Sequence, residues 1–209
     1  MISAANVYKV HILMSDTASI ERRYLMQQFG ATVQLFKATR GYGTGIQMSL
    51  EMAAKDDRYF LPRQFENPIN AQDHEEHTGR EILSQMHGLV AAFVSGYGTG
   101  GTITGCGRAP RAANPKAKIY AQEPAEAAML SGEMPCCHSI EGVAGGYVPP
   151  LIKMAHIDGQ IKVSSNDALC MTRRLNREFG FLVGTSSGAN VTAALRLACE
   201  MGPEARVVT

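Results

Sequence analysis

The residues best equipped for chemistry form one run of small and hydroxylated side chains, Val94-Ser95-Gly96-Tyr97-Gly98-Thr99-Gly100-Gly101-Thr102. A β-rich apolar stretch precedes it and a helical pattern follows, so it reads as a strand-to-helix turn. Such a turn favours an anion. Glycine lets the backbone take φ > 0 and come close to a ligand, successive N–H groups converge, and the helix N-terminus adds its positive dipole end. Thr99 and Thr102 offer hydroxyl donors as well. A ligand-free turn is the plain alternative, but the glycine and threonine neighbours from Gly98 to Thr102 exceed what a turn needs. Gly96, Gly98 and Gly101 also satisfy G-x-G-x-x-G, with Glu123 near the acidic position of a dinucleotide site. Against that reading, the motif lies deep in the chain rather than in the first βα unit. Paired threonines also suit a terminal monophosphate better than a pyrophosphate bridge.

Gly184-Thr185-Ser186-Ser187-Gly188 matches the G-x-S-x-G nucleophile elbow. A hydrolase of that type needs its acid and then its histidine after the serine, and the last of the six histidines is His156. Ser186 is therefore read as a donor to a ligand at the carboxyl end of a strand, with a plain helix N-cap as the alternative. A third segment, Pro62-Arg63-Gln64-Phe65-Glu66-Asn67-Pro68-Ile69-Asn70, places a glutamine and two asparagines in a proline-bounded loop. His74 and His77 are three apart, which excludes a zincin and favours a solvated helix face. Cys136-Cys137-His138 lacks a second pair of ligands at tetrahedral spacing, so no metal is expected. Gly41 to Gly45 repeats the glycine pentapeptide of Gly96 to Gly100, but without the following Gly-Thr, and reads as a helix-start loop.

These motifs need a scaffold, and the pattern supplies one. Short β-rich runs alternate with amphipathic stretches, which predicts an α/β fold with mainly parallel sheets covered by helices. Strands are expected at 7–14, 32–36, 59–61, 89–94, 118–122, 160–163 and 181–183, with another beginning at Arg206. Helices are expected from Ser19 to a stop at Gly30, with Ser15, Asp16 and Thr17 as caps, and at 45–55, 75–86, 166–178 and 189–201. A short helix should follow the glycine turn, and residues 132–150 read as irregular. At 209 residues, 45% hydrophobic and 19% charged, the chain can bury one or two cores. Lys plus Arg total 20 against 19 Asp plus Glu, so no global field attracts nucleic acid or an acidic membrane. The five cysteines, with no signal peptide or membrane-length apolar run, lead us to expect a cytoplasmic protein with reduced thiols. Both ends look cut, the first entering a strand directly from the end of a helix and the last stopping within a strand.

Taken together and in order, QFENP at Gln64 to Pro68, GTGGT at Gly98 to Thr102 and GTSSGAN at Gly184 to Asn190 resemble the cysteine synthase (O-acetylserine sulfhydrylase) family of fold type II pyridoxal-phosphate enzymes. The resemblance also takes in Ser19 to Arg23, Glu123-Pro124 through Gly132, and Ile140-Glu141-Gly142. It implies a tryptophan synthase β-like architecture, with residues 1–63 forming most of the smaller domain and 64–209 the larger cofactor-binding domain, incomplete at both ends. It implies that Gly98, Thr99, Gly100, Gly101 and Thr102 hold the phosphate of pyridoxal 5'-phosphate and that Ser186 bonds its pyridine nitrogen. Gln64 would contact the substrate carboxylate, and Gly142 would lie beside the substrate.

The implied reaction is β-replacement, O-acetylserine and sulfide giving cysteine and acetate, in a homodimer acting on small amino acids. A cystathionine β-synthase-like or cyanoalanine synthase-like activity is the alternative within the family. A non-catalytic phosphate-binding or interaction remnant is the alternative outside it. Two departures stand out. The family's Schiff-base lysine and its Ser/Thr-Gly-Asn-Thr-Gly loop lie upstream of the position matching Met1, and none of the seven lysines here sits in a Ser-x-Lys context. Ala144 replaces a glycine common in the loop.

Overall fold

The computed structural model describes residues 1–37, 41–134 and 136–209, and residue 135 of the irregular stretch expected at 132–150 lies outside them. Two compact units divide the chain, Met1–Leu61 and Pro62–Thr209.

In the first unit, α1 (Ile2–Ala5) leads to β1 (His11–Ser15), α2 (Ile20–Gln28), β2 (Thr32–Phe36) and α3 (Gly43–Lys55). The two strands pair in parallel, from His11 with Thr32 to Ser15 with Phe36. Ser19 caps α2 by accepting the Arg22 amide, a role expected of Ser15 to Thr17. The strand expected at 7–14 begins only at His11. The Tyr8 amide turns back to the Ser3 carbonyl at 2.8 Å, and Val7 takes φ +60° and lies in solvent. No strand forms at 59–61 either. Asp56 accepts both the Arg58 amide and its guanidinium, which closes a turn and leaves Phe60 86% exposed.

The second unit builds a four-stranded parallel sheet in the order β5-β4-β3-β6, from β3 (Ala92–Gly96), β4 (Lys118–Pro124), β5 (Gly159–Val163) and β6 (Val207–Val208). Its helices are α4 (Pro68–His74), α5 (Arg80–Gln85), α6 (Gly101–Ala113), α7 (Ser165–Glu178) and α8 (Thr185–Met201). A parallel sheet is apolar on both faces, and β3 shows why. Ala92 and Val94 pack with Ala168 of α7 and Ala189, Ala193 and Leu197 of α8. Phe93, between them in sequence, faces the other side with Ile103 and Cys106 of α6. At about 25 cal/mol per Å² of apolar surface, these two layers hold the carboxyl ends of β3 and β4 in place.

Three expectations change here. The helix expected at 75–86 starts at Pro68, because Asn67 accepts the Ile69 amide at 3.1 Å and proline suits the first helical position. A π-helical turn, Glu75–Gly79, joins α4 to α5. The helix after the glycine turn is a full 13 residues rather than short. Residues 181–183 form no strand, since the Phe181 amide bonds the Leu175 carbonyl and the Val183 amide bonds Asn176 Oδ1. With Gly180 at φ +73°, they close the end of α7 instead.

Candidate functional site

The glycine run leaves the carboxyl end of β3 and opens α6. Gly100, at φ +88°, is the N-cap, a left-handed conformation that glycine adopts without strain. Gly101 has no room for a side chain, because a Cβ there would stand 2.1 Å from Asn70 Oδ1. The first-turn amides of Thr102 and Ile103 have no acceptor within the helix, and they point out of its positive end. Thr99 Oγ1 accepts from Asn70 Nδ2 at 2.9 Å and from the Gly101 amide at 3.3 Å. With its oxygen doubly bonded, the hydroxyl hydrogen is left to donate. Thr102 is exposed, with its Oγ1 3.2 Å from His74 Nε2. This donor set can receive a phosphate-sized anion.

The three motifs meet through a chain of contacts. The Asn70 amide bridges Thr99 to the Gln64 carbonyl, 2.8 Å away. On the other side, the Gly142 carbonyl lies against Gly98, where a Cβ would come within 2.8 Å of it. The Ala144 amide bonds the Tyr97 carbonyl at 3.0 Å, and the Glu141 amide bonds Thr185 Oγ1 at 3.2 Å in the first turn of α8. Ser186 is the next residue, half-buried. Gly184, not Ser186, is the N-cap of α8, so the plain capping alternative for this serine fails. Gly96 is fixed from the same helix, its amide donating to Asn190 Oδ1 at 2.8 Å.

Glu123 settles the dinucleotide alternative. It is fully buried and accepts from Tyr97 Oη at 2.9 Å, the Leu130 amide at 2.7 Å and Ser131 Oγ at 2.9 Å. A carboxylate so engaged and closed off from solvent is not open to a ribose. Burial, and then the negative charge of Glu123, raise the Tyr97 phenol well above its usual range, so it remains a donor. Cys106 is no nucleophile, because burial pushes its thiol up to about 11. Among the described residues, no group of three or more His, Cys, Asp or Glu could hold a metal ion.

The sequence alone did not single out Asn70, Thr185 or Asn190, although all three lie inside motifs it did. His74 is a correction. It was expected on a solvated face, but its ring is half-buried between Thr102 and Thr78, whereas His77 is exposed. No signal in the H-E-E-H spacing could have told them apart, because the difference depends on α6 packing beside α4.

A parallel α/β sheet with a helix opening at the carboxyl end of one strand, and a loop laid against that turn, is the arrangement in which open α/β folds bind their ligands. The chain belongs to the pyridoxal-phosphate dependent enzyme family, whose model matches residues 1–209. A cysteine synthase of Staphylococcus aureus (strain Mu50) is 38% identical over 209 residues, covering all of this chain and 67% of the relative. Among solved structures, an O-ureido-L-serine synthase aligns with TM-score 0.90 and 38% identity over 100% of this chain and 66% of that one. The O-acetylserine dependent cystathionine beta-synthase from Helicobacter pylori aligns with TM-score 0.94 and 31% identity over 100% and 68%. The chain thus spans about two thirds of the length of these relatives. Its fold is the tryptophan synthase β-like, type II architecture.

Proposed function

We propose that Gly98 to Thr102 receive the phosphate of pyridoxal 5'-phosphate and that the chain is the cofactor-binding part of an enzyme catalysing β-replacement, O-acetylserine and sulfide giving cysteine and acetate. The observation that carries this reading is the continuous bridge from Gln64 through Asn70, Thr99, Gly98 and Gly142 to Thr185 and Ser186. It ties the anion site to the segment that carries the exposed Gln64 and to the hydroxyl-bearing first turn of α8.

Bound pyridoxal phosphate supplies the electron sink for losing an α-proton and a β-leaving group. The protein's own residues orient it. Thr99 and the first-turn amides of α6 hold the phosphate, and the Ser186 hydroxyl meets the pyridine nitrogen. A neutral hydroxyl, unlike a carboxylate, leaves that nitrogen largely unprotonated, which suits elimination of a good leaving group such as acetate. Gln64 binds the substrate carboxylate, and the Gly142 turn covers the substrate. The amine that the reaction needs is absent from a Ser-x-Lys context here, so the test supplies it from a relative.

Joining this chain to the parts of the S. aureus cysteine synthase that lie outside the matched region should give a cofactor-binding protein that forms cysteine from O-acetylserine and sulfide. Cofactor binding without cysteine formation would overturn the substrate assignment. Homocysteine or cyanide preferred over sulfide in the same assay would replace it with the cystathionine β-synthase-like or cyanoalanine synthase-like reading.

A further inference from the structure

The turn that brings Gly142 over Gly98 is held from inside by one imidazole. His138 Nδ1 lies 3.2 Å from the Ile140 amide, and His138 Nε2 lies 3.3 Å from the Ala144 carbonyl oxygen. An amide N–H can only donate and a carbonyl can only accept. The ring must therefore accept at Nδ1 and donate at Nε2. A neutral imidazole with its proton on Nε2 does both. The other tautomer does neither, and the imidazolium cannot accept from Ile140.

The segment so closed is anchored at both ends. Ile140 and Val143 are buried against Val94 and Ala189, and Ala144 takes φ +43°, a conformation a non-glycine residue keeps only when its surroundings enforce it. Between these anchors, Gly142 at φ +84° presents its carbonyl to Gly98.

We propose that His138 is a positioning residue: its neutral Nε2–H imidazole shapes the 138–144 turn so that Gly142 is set over the anion site, and protonation of the ring releases that turn. This rests on the reading that Gly142 lies beside the substrate, but its test does not. Among the described residues, the charged and titratable neighbours are these. The Glu126 carboxylate lies within electrostatic reach, held by the Ser165 amide at the start of α7. Cys137 precedes the ring, Glu141 lies on the turn, and α8 contributes the neutral Thr185. Burial alone would raise the Glu126 pKa, but the Ser165 amide and hydroxyl and the nearby imidazole lower it overall. Glu126 is therefore ionised at neutral pH.

The experiment is nitrogen NMR of the histidine rings in the 209-residue chain, with His138 assigned by its loss in His138→Gln. The expected result is a pyridine-like Nδ1 and a protonated Nε2 at pH 8. The Gly142 and Ala144 amide resonances should then shift with the same midpoint as the ring as pH falls. In His138→Asn, which keeps an acceptor where Nδ1 stood, those amide shifts should disappear while the turn persists at pH 8. A proton on Nδ1 in the unsubstituted chain would overturn the proposal whether or not the variant folds. So would Gly142 titrating alike with and without the imidazole. Failure of the cysteine-forming assay would leave this result standing and would reject only the substrate assignment.

Discussion

Gln122 lies wholly out of solvent, its Oε1 converging with the Val143 and Asn190 side chains on the space a Cβ of Gly96 would fill, and neither atom of its amide has a hydrogen-bond partner among the described residues. Leaving a buried polar group unpaired costs about 1–3 kcal/mol, whereas an apolar group of similar shape carries no such penalty. Gln122→Met should therefore raise the unfolding free energy by about 1–2 kcal/mol in urea titrations. A loss of stability of that size would show that the amide is satisfied by bound water or by an alternative placement. At this scale the sequence was legible where residue type alone defines a chemistry, as with the glycines and threonines of 98–102. It was silent where role depends on a neighbour distant in sequence. Glu123 is the clear instance: its position after a strand suggested a ribose, and only its contacts with Tyr97, Leu130 and Ser131 reveal a buried anchor.

Among the elements, β4, β5 and α6 are tied at one end by Asp158. It accepts the Ile119 amide at 2.8 Å and Lys118 Nζ at 3.2 Å, and it pairs with the Arg111 guanidinium. Burial alone would raise its pKa, but the Ile119 amide and the two cations outweigh that and lower it. A carboxyl whose folded pKa is depressed contributes stability that is fully present above its unfolded value, about 3.9. That stability is lost as pH falls through the folded value. Asp158→Asn should thus cost about 1.5–3 kcal/mol at pH 7, and the gap from the unsubstituted chain should close on acidification below pH 4. A gap that stays constant down to acid unfolding would mean that the charge contributes nothing. Helices and buried strands were legible here because their periodicity is long, as in α7 and β3. Residues 59–61 and 181–183 misled because a three-residue apolar run carries no information about whether a partner strand exists. Phe181 and Leu182, at 59% and 98% exposed, satisfy their backbone on the preceding helix or in solvent.

Across the whole molecule, the order of the three motifs was enough to place the chain in its family, because each opens a helix of the second unit, α4, α6 or α8. What the order could not supply was the bridge between them, which needs Asn70 and the turn at 138–144 in three dimensions. The central claim is that this bridge surrounds a phosphate. It is tested most directly by titrating the 209-residue chain with pyridoxal phosphate, and with pyridoxal lacking the phosphate, alongside Thr99→Val. Binding should be saturable, should require the phosphate and should weaken about 10- to 100-fold in Thr99→Val, the equivalent of about 1.5–3 kcal/mol for one charge-assisted hydrogen bond. Equal affinity for the two compounds, or unchanged affinity in the variant, would contradict that claim.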